Sequence, residues 1–432
     1  MAAFSLFLSA AAGFPADGKP PVASAVKLET AGNVTRLVFD LDAPVEADAW
    51  FMANPARLVV DLPEVEFRLD PSVRPPPPAG VRRGGVRRPA APALSTGLVS
   101  SWRFGLFSPG KSRIVVDLAG PARLLKARAE PVAGRQGTQL VLELTPTDRA
   151  AFAGLLRKPA PAAAFVEPSP RVEPGALPLV VLDPGHGGVD SGARASNGAL
   201  EKDVVFEFAR ALMERLRSGG RYQVTMTRTG DVFVPLGERV RIARAAGAAL
   251  FVSIHADTLG DEPGVSGATV YTVSEKATDA QAARVAEKEN LADAAAGLEG
   301  GEEQSDVSDI LFDLTRRETR VYSHAFAKTL VGYFRDVGRL NKNPQRAAGF
   351  RVLKAPDVPS VLLELGYLSN DRDLASLTDA EWRDRAAGSV ERSIADFFRL
   401  QGSPPPVDAG EPPVLKKSLA AEEPGHVATR QR

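Results

Sequence analysis

Residues 179–188 read LVVLDPGHGG, and this stretch decides the fold of the larger half of the chain. A continuous apolar run ends in an acid, Asp183, and Pro184-Gly185 then breaks it. Downstream, residues 202–217 carry apolar side chains at Val205, Phe208, Ala209, Leu212 and Leu216, which is helical spacing. Residues 222–227 (YQVTMT) are strand-like, 236–246 helical, and 249–254 (ALFVSI) strand-like again. Residues 350–353 and 361–365 predict further strands, and 380–400 a closing helix. Strands alternating with helices imply an α/β domain with a mostly parallel sheet flanked by helices, over 178–400.

Upstream the rhythm changes. RLVFDL (36–41), RLVVDL (57–62), RIVVDL (113–118) and LVLEL (140–144) are β-branched segments between turn residues, with no clear amphipathic helix among them. Unequal spacing excludes a solenoid, and a small all-β sandwich over 24–147 is expected. No histidine lies there, so this block reads as a binding or targeting module. The chain's 35 prolines mark its boundaries. Residues 71–92 (PSVRPPPPAGVRRGGVRRPAAP) read as a Pro/Arg-rich insertion, 148–177 as a linker and 401–432 as a disordered tail. Residues 1–23 resemble the end of a signal peptide without its basic start, or a disordered start. No stretch approaches the roughly 18 apolar residues that span a bilayer, so a soluble mature protein is expected.

Composition bounds the chemistry. Lys+Arg is 53 and Asp+Glu is 53 in 432 residues, so no global charge argues for nucleic acid or an anionic membrane. With no cysteine, disulfides, thiolate metal sites and cysteine nucleophiles are excluded. The four histidines are His186, His255, His324 and His426. In open parallel sheets, ligands gather at the C-terminal strand ends. His186 and His255 both follow predicted strands, Glu364 stands in the apolar run VLLEL, and Glu201 opens the first long helix. A catalytic zinc takes three ligands from histidine and carboxylate and keeps one place open; His186, Glu201 and His255 supply that set. Glu364, costly to bury without a partner, is suited to moving a proton from water to a leaving nitrogen. Asp183 and Asp257 flank the histidines, as orienting groups or as plain loop starts. His324 reads as an ordinary helix residue, and His426 falls in the tail.

The segments VVLDPGHGGVDSGA (180–193), LEKD (200–203), SIHAD (253–257) and LELGYLSN (363–370) resemble the zinc-dependent N-acetylmuramoyl-L-alanine amidases. The N-terminal block looks like the AMIN domain that precedes this catalytic domain in periplasmic cell-division amidases. The resemblance implies hydrolysis of the amide between N-acetylmuramic acid and L-alanine in peptidoglycan, for wall remodelling and daughter-cell separation. It places Zn²⁺ on His186, Glu201 and His255, makes Glu364 the catalytic carboxylate, and implies a periplasmic location with an activator protein at the division site. Alternatives are another zinc hydrolase cutting the stem peptides, or a non-catalytic wall-binding scaffold.

Between His255 and Glu364 the α/β rhythm is interrupted. After a strand at 267–273, residues 275–313 are rich in Ala, Glu and Asp. They read either as a solvated surface helix or, by the resemblance, as an autoinhibitory lid whose acid occupies the open zinc position. Glu275, Glu287 and Glu289 are the candidates, Glu275 being nearest the strand.

Overall fold

β-Branched and aromatic residues alternating with polar ones build the N-terminal unit of the computed structural model. The structure describes residues 19–69, 97–132, 134, 137–157, 177–259, 262, 264–298 and 310–400. The unit contains β1 (Val22–Ala31), β2 (Val34–Leu41), β3 (Asp48–Met52), β4 (Arg57–Pro63), β5 (Glu66–Phe67), β6 (Val99–Ser108), β7 (Lys111–Leu118), β8 (Ala122–Pro131), β9 (Thr138–Pro146) and the short helix α1 (Arg149–Ala153). Two sheets, ordered β5-β1-β2-β9-β8 and β3-β4-β7-β6, enclose a core that includes Leu37, Phe39, Leu58, Ile114 and Leu140. This is the expected β-sandwich.

The second unit runs β10 (Leu179–Pro184), α2 (Glu201–Ser218), β11 (Gln223–Met226), α3 (Leu236–Ala245), β12 (Leu250–His255), β13 (Ala268–Val273), α4 (Ala280–Glu289), α5 (Ala292–Ala295), α6 (Ile310–Phe334), β14 (Leu340–Ala348), β15 (Ser360–Glu364), α7 (Asp371–Leu377) and α8 (Ala380–Leu400). Its sheet is ordered β11-β10-β12-β15-β13-β14. Every pairing is parallel except β13 with β15. Helices α2, α6 and α8 cover one face, and α3 with α4 the other. On α2, Val205, Phe208, Ala209, Leu212 and Leu216 are all buried, as their spacing predicts. Burying each of the larger ones stabilises the fold by about 1.5–3 kcal/mol. No helix among the described residues is long and apolar enough to cross a membrane.

Three boundaries differ from the sequence expectation. Residues 350–353 form no strand; Arg351–Leu353 is a 3-10 turn whose apolar side chains fill the core beside α3. The strand is β14, LNKNPQRAA, an edge strand whose polar residues and proline give no apolar run. Residues 148–157 belong to the β unit, not to a linker. Asp148 caps α1 through Ala151 N–H at 2.8 Å, and Phe152 packs edge-on against Phe51 at 5.4 Å. The 1–23 start up to residue 18, the 71–92 insertion, residues 158–176 of the linker, residues 299–309 of the lid, and the tail with His426 lie outside the described residues.

A proline-rich connection predicts units that move independently, yet the two are in contact. Phe107 of β6 stacks on Phe233 with ring centroids 5.9 Å apart, and they share an apolar cluster with Val115, Val189 and Ala296. Arg113 of β7, paired with Asp61, donates to the carbonyls of Ala296 (3.0 Å) and Gly297 (3.3 Å). Gly105 of β6 lies so close to Gly188 that a Cβ on it would overlap the Gly188 backbone. Local composition reads a linker's stiffness, not the complementarity of the surfaces it joins.

Candidate active site

Parallel register brings three strand ends level. Pro184 pairs with Ile254 across β10 and β12, and His255 pairs with Glu364 across β12 and β15. After β10 the chain turns through His186 with φ +58°, a left-handed conformation that a non-glycine residue rarely adopts. Two buried arginines hold the turn. Arg239 donates to the carbonyls of Pro184 (3.0 Å) and His186 (2.8 Å), and Arg228 to those of Pro184 (2.9 Å) and Gly185 (3.0 Å). Asp183 accepts from Arg239, Thr227 and Ser253, so it fixes the turn rather than orienting a histidine.

The turn aims His186 Nε2 inward. Its Nδ1 lies 2.8 Å from Asp190, four residues on, so a proton shared there leaves Nε2 as an acceptor. Nε2 is 3.2 Å from Glu201 Oε1, and His255 Nδ1 is 3.3 Å from the same oxygen. Glu201, in the first turn of α2, is fixed by Ala193 N–H on one oxygen (2.8 Å) and Ala256 N–H on the other (2.9 Å). His186 Nε2 and His255 Nδ1 are buried without a hydrogen-bond partner. A Cβ at Gly185 would overlap the His255 ring, and one at Gly192 would lie 2.6 Å from His186 Cδ2. Glycine at both positions is what lets the backbone approach the rings.

A fourth group closes the cluster. Glu289 Oε2, at the end of α4, lies 3.0 Å from His255 Nδ1 and 3.4 Å from His186 Nε2. One donor atom from each of His186, Glu201, His255 and Glu289 lies within 4.8 Å of the others, a group that could hold a metal ion. The other two lid candidates are corrected. Glu275 is 93% exposed beside Arg320, and Glu287 is exposed on the outer side of α4. Glu289 shares a face with Ala282, Val285 and Ala286, at the spacing of a buried helix stripe. That phase signals its burial in the sequence; its meeting with the histidines is set by how α4 packs. Sequence reasoning missed Asp190; four-residue spacing from His186 was its only mark.

The charges balance around this point. Burial opposes protonation of both histidines, but the carboxylates of Glu201, Asp190 and Glu289 raise His186 well above its usual value. Burial likewise lowers His255, and Glu289 and Glu201 outweigh it, lifting His255 to about 10. Glu201 is burdened by burial yet held well below the carboxylate range by the two histidines. The cluster is thus built around concentrated positive charge. Glu364 behaves oppositely. Burial, reinforced by Glu201 and Glu289, pushes its carboxyl well above the usual range. Its Oε2 accepts from Asp257 N–H at 3.1 Å, and its Oε1 has no partner. His324, exposed on α6 beside Gln345, takes no part in the cluster.

Comparison with known proteins follows the same outline. Residues 180–396 match the N-acetylmuramoyl-L-alanine amidase family Amidase_3. N-acetylmuramoyl-L-alanine amidase AmiC of Escherichia coli is 32% identical over 388 residues, covering 87% of this chain and 89% of that protein. AmiC of Neisseria meningitidis is 32% identical over 88% of this chain and 91% of its own length. AmiA of Escherichia coli is 37% identical over 52% of this chain and 77% of its own.

Proposed function

The chain belongs to the N-acetylmuramoyl-L-alanine amidase family and is an enzyme of that activity; from that premise we propose that zinc on His186, Glu201 and His255, with Glu364 as general acid and base, serves cleavage of the amide between N-acetylmuramic acid and L-alanine in peptidoglycan. The carrying observation is the convergence of two buried, unpartnered imidazole nitrogens on one Glu201 oxygen, with Glu364 at the adjoining strand end. Two nitrogens and an oxygen suit zinc, and Asp190 supplies the carboxylate that fixes the His186 tautomer. When bound, zinc would supply a Lewis acid for the amide carbonyl and lower the pKa of water. Glu364 takes a proton from the attacking water and returns it to the departing nitrogen. Intact sacculi digested with and without a chelator test the reading. Chelator-sensitive release of whole peptides with N-terminal alanine is expected; cuts inside the stem peptide would replace it with the stem-peptidase reading.

Zinc uptake should release up to about two protons per chain at neutral pH, since metal binding requires both histidines neutral. Neighbouring carboxylates raise both in the metal-free fold, His255 to about 10. Affinity should therefore rise as pH climbs from neutrality. The sign for the metal-free fold is the reverse: stabilisation from His255 is full below about pH 6.5 and lost as pH passes about 10. Titration calorimetry in buffers of different ionisation enthalpy measures the release. A count of zero would show the histidines neutral beforehand.

The segment carrying Glu289 supports an autoinhibited resting state, which an activator protein at the division site would open. In this reading the β unit is an AMIN-like wall-targeting module that also steadies the lid, because Arg103 holds the last carbonyl of α5 and Arg113 the two that follow it. An exported, periplasmic location fits the substrate. Gly105→Val should wedge β6 away from the 186–188 loop, as any Cβ there overlaps Gly188. Expected are a larger radius of gyration by X-ray scattering and basal hydrolysis raised severalfold. Separation of the units with unchanged basal activity would show that the β unit does not steady the lid.

A further inference from the structure

We propose that Asp257 is the acceptor for the ammonium group that amide cleavage creates on the alanine of the stem peptide, and that Lys288 fills that place in the resting chain. The inference rests on the amidase reading above and assigns a residue which that reading leaves idle.

Asp257 lies two residues beyond His255, fully buried. Its backbone is held twice, once by the reaction centre. Its N–H donates to Glu364 Oε2 at 3.1 Å, and its carbonyl accepts from Leu368 N–H at 2.8 Å. Its carboxylate Oδ1 accepts from Thr258 N–H and pairs with the Lys288 ammonium, while Oδ2 has no partner. Oxygens of Asp257, Glu289 and Glu364 lie within 4.8 Å of one another. A buried carboxylate needs a cation or several donors. The cation here comes from α4, the helix that must leave before substrate enters. Once α4 has left, Lys288 has gone with it, and Asp257 faces the centre without a cation.

The reaction supplies one. Water oxygen bonds to the carbonyl carbon, the C–N bond breaks, and Glu364 returns the water's proton to the nitrogen. The new carboxylic acid ionises, and its proton completes the ammonium, since an α-amino group has a pKa of about 7.7–8.0. The products are thus one carboxylate and one ammonium, formed from a single bond. Lys288 and Glu289 present the same pair from adjacent residues: a carboxylate against His186 and His255, and an ammonium against Asp257. The lid tip is in charge and placement an analogue of the separated products.

The test uses the full chain opened by Lys288→Ala with Glu289→Ala, loaded with zinc, with or without Asp257→Asn. The probes are an L-alanyl dipeptide with a free amino terminus and the same dipeptide N-acetylated. Calorimetry reads binding; zinc content and melting temperature check the fold. In the opened chain the free-amine peptide should bind about tenfold or more tighter than the acetylated one, the scale of a charged hydrogen bond. Asp257→Asn, which keeps shape and backbone contacts, should abolish the difference with zinc content unchanged. Equal binding of both peptides by the opened chain would overturn the inference, as would a tenfold preference surviving in Asp257→Asn. Should Asp257→Asn fail to fold, Asp257→Glu replaces it: a moved carboxylate should shrink the preference, and an undiminished one overturns the inference. Binding is read without turnover, so an opened chain that hydrolyses sacculi yet binds both peptides equally overturns this inference and leaves the amidase reading standing.

Discussion

Glu364→Gln, placed in a chain already opened by Glu289→Ala, should lose about 10²–10⁴-fold in sacculus hydrolysis while keeping its zinc. Glutamine keeps the shape and still accepts from Asp257 N–H, so the strand end should not move. What it cannot do is take a proton. The site is arranged for that exchange: burial and the carboxylates of Glu201 and Glu289 raise the Glu364 carboxyl well above its usual range, opposed by His255 and Lys288. Opening removes two of those groups, Glu289 and the Lys288 contact, and zinc would add positive charge, which favours the carboxylate that takes the proton. New amino termini released from sacculi measure the rate, and elemental analysis the metal. Loss of zinc together with activity would move Glu364 from proton carrier to ligand; a full rate would remove it from the mechanism.

Glu289→Ala alone should raise basal hydrolysis by about tenfold or more. Its carboxylate lies against both imidazole nitrogens, where in the proposed resting state it blocks the substrate carbonyl. A lid opens as far as its differential binding allows, and each tenfold in the open population corresponds to about 1.4 kcal/mol. With zinc bound, the same carboxylate would face the metal's positive charge, a contact worth at least that. Glu287→Ala is the matched control: the residue is exposed on the same helix, and its loss should leave basal activity unchanged. If Glu289→Ala folds, binds zinc and stays at the basal rate, the helix is a surface insertion and the activator acts elsewhere.

Much of this was legible without coordinates. The apolar runs at 179–183, 249–254 and 361–365 are strands because such runs are stable only when covered on both faces. Parallel strands then align their C-terminal ends, so His186, His255 and Glu364 had to lie on one side of the sheet. The β14 strand was not legible, since an edge strand half open to water carries no apolar signature. Residues 350–353 misled for the complementary reason: an apolar cluster is buried equally well as a turn under a sheet.

By itself, then, the sequence determined the two fold classes, the strand ends that carry the chemistry, and the donors that meet there, because each follows from local periodicity and parallel register. Only the tertiary structure decided which acid of the 275–313 segment meets the histidines, that Asp190 backs His186, that Lys288 neutralises Asp257, and that the β unit meets the residues after α5. Those depend on the rotation of α4 about its axis and on the docking of two separately built surfaces. Both are set by packing between segments far apart in the chain, and no local pattern encodes that distance.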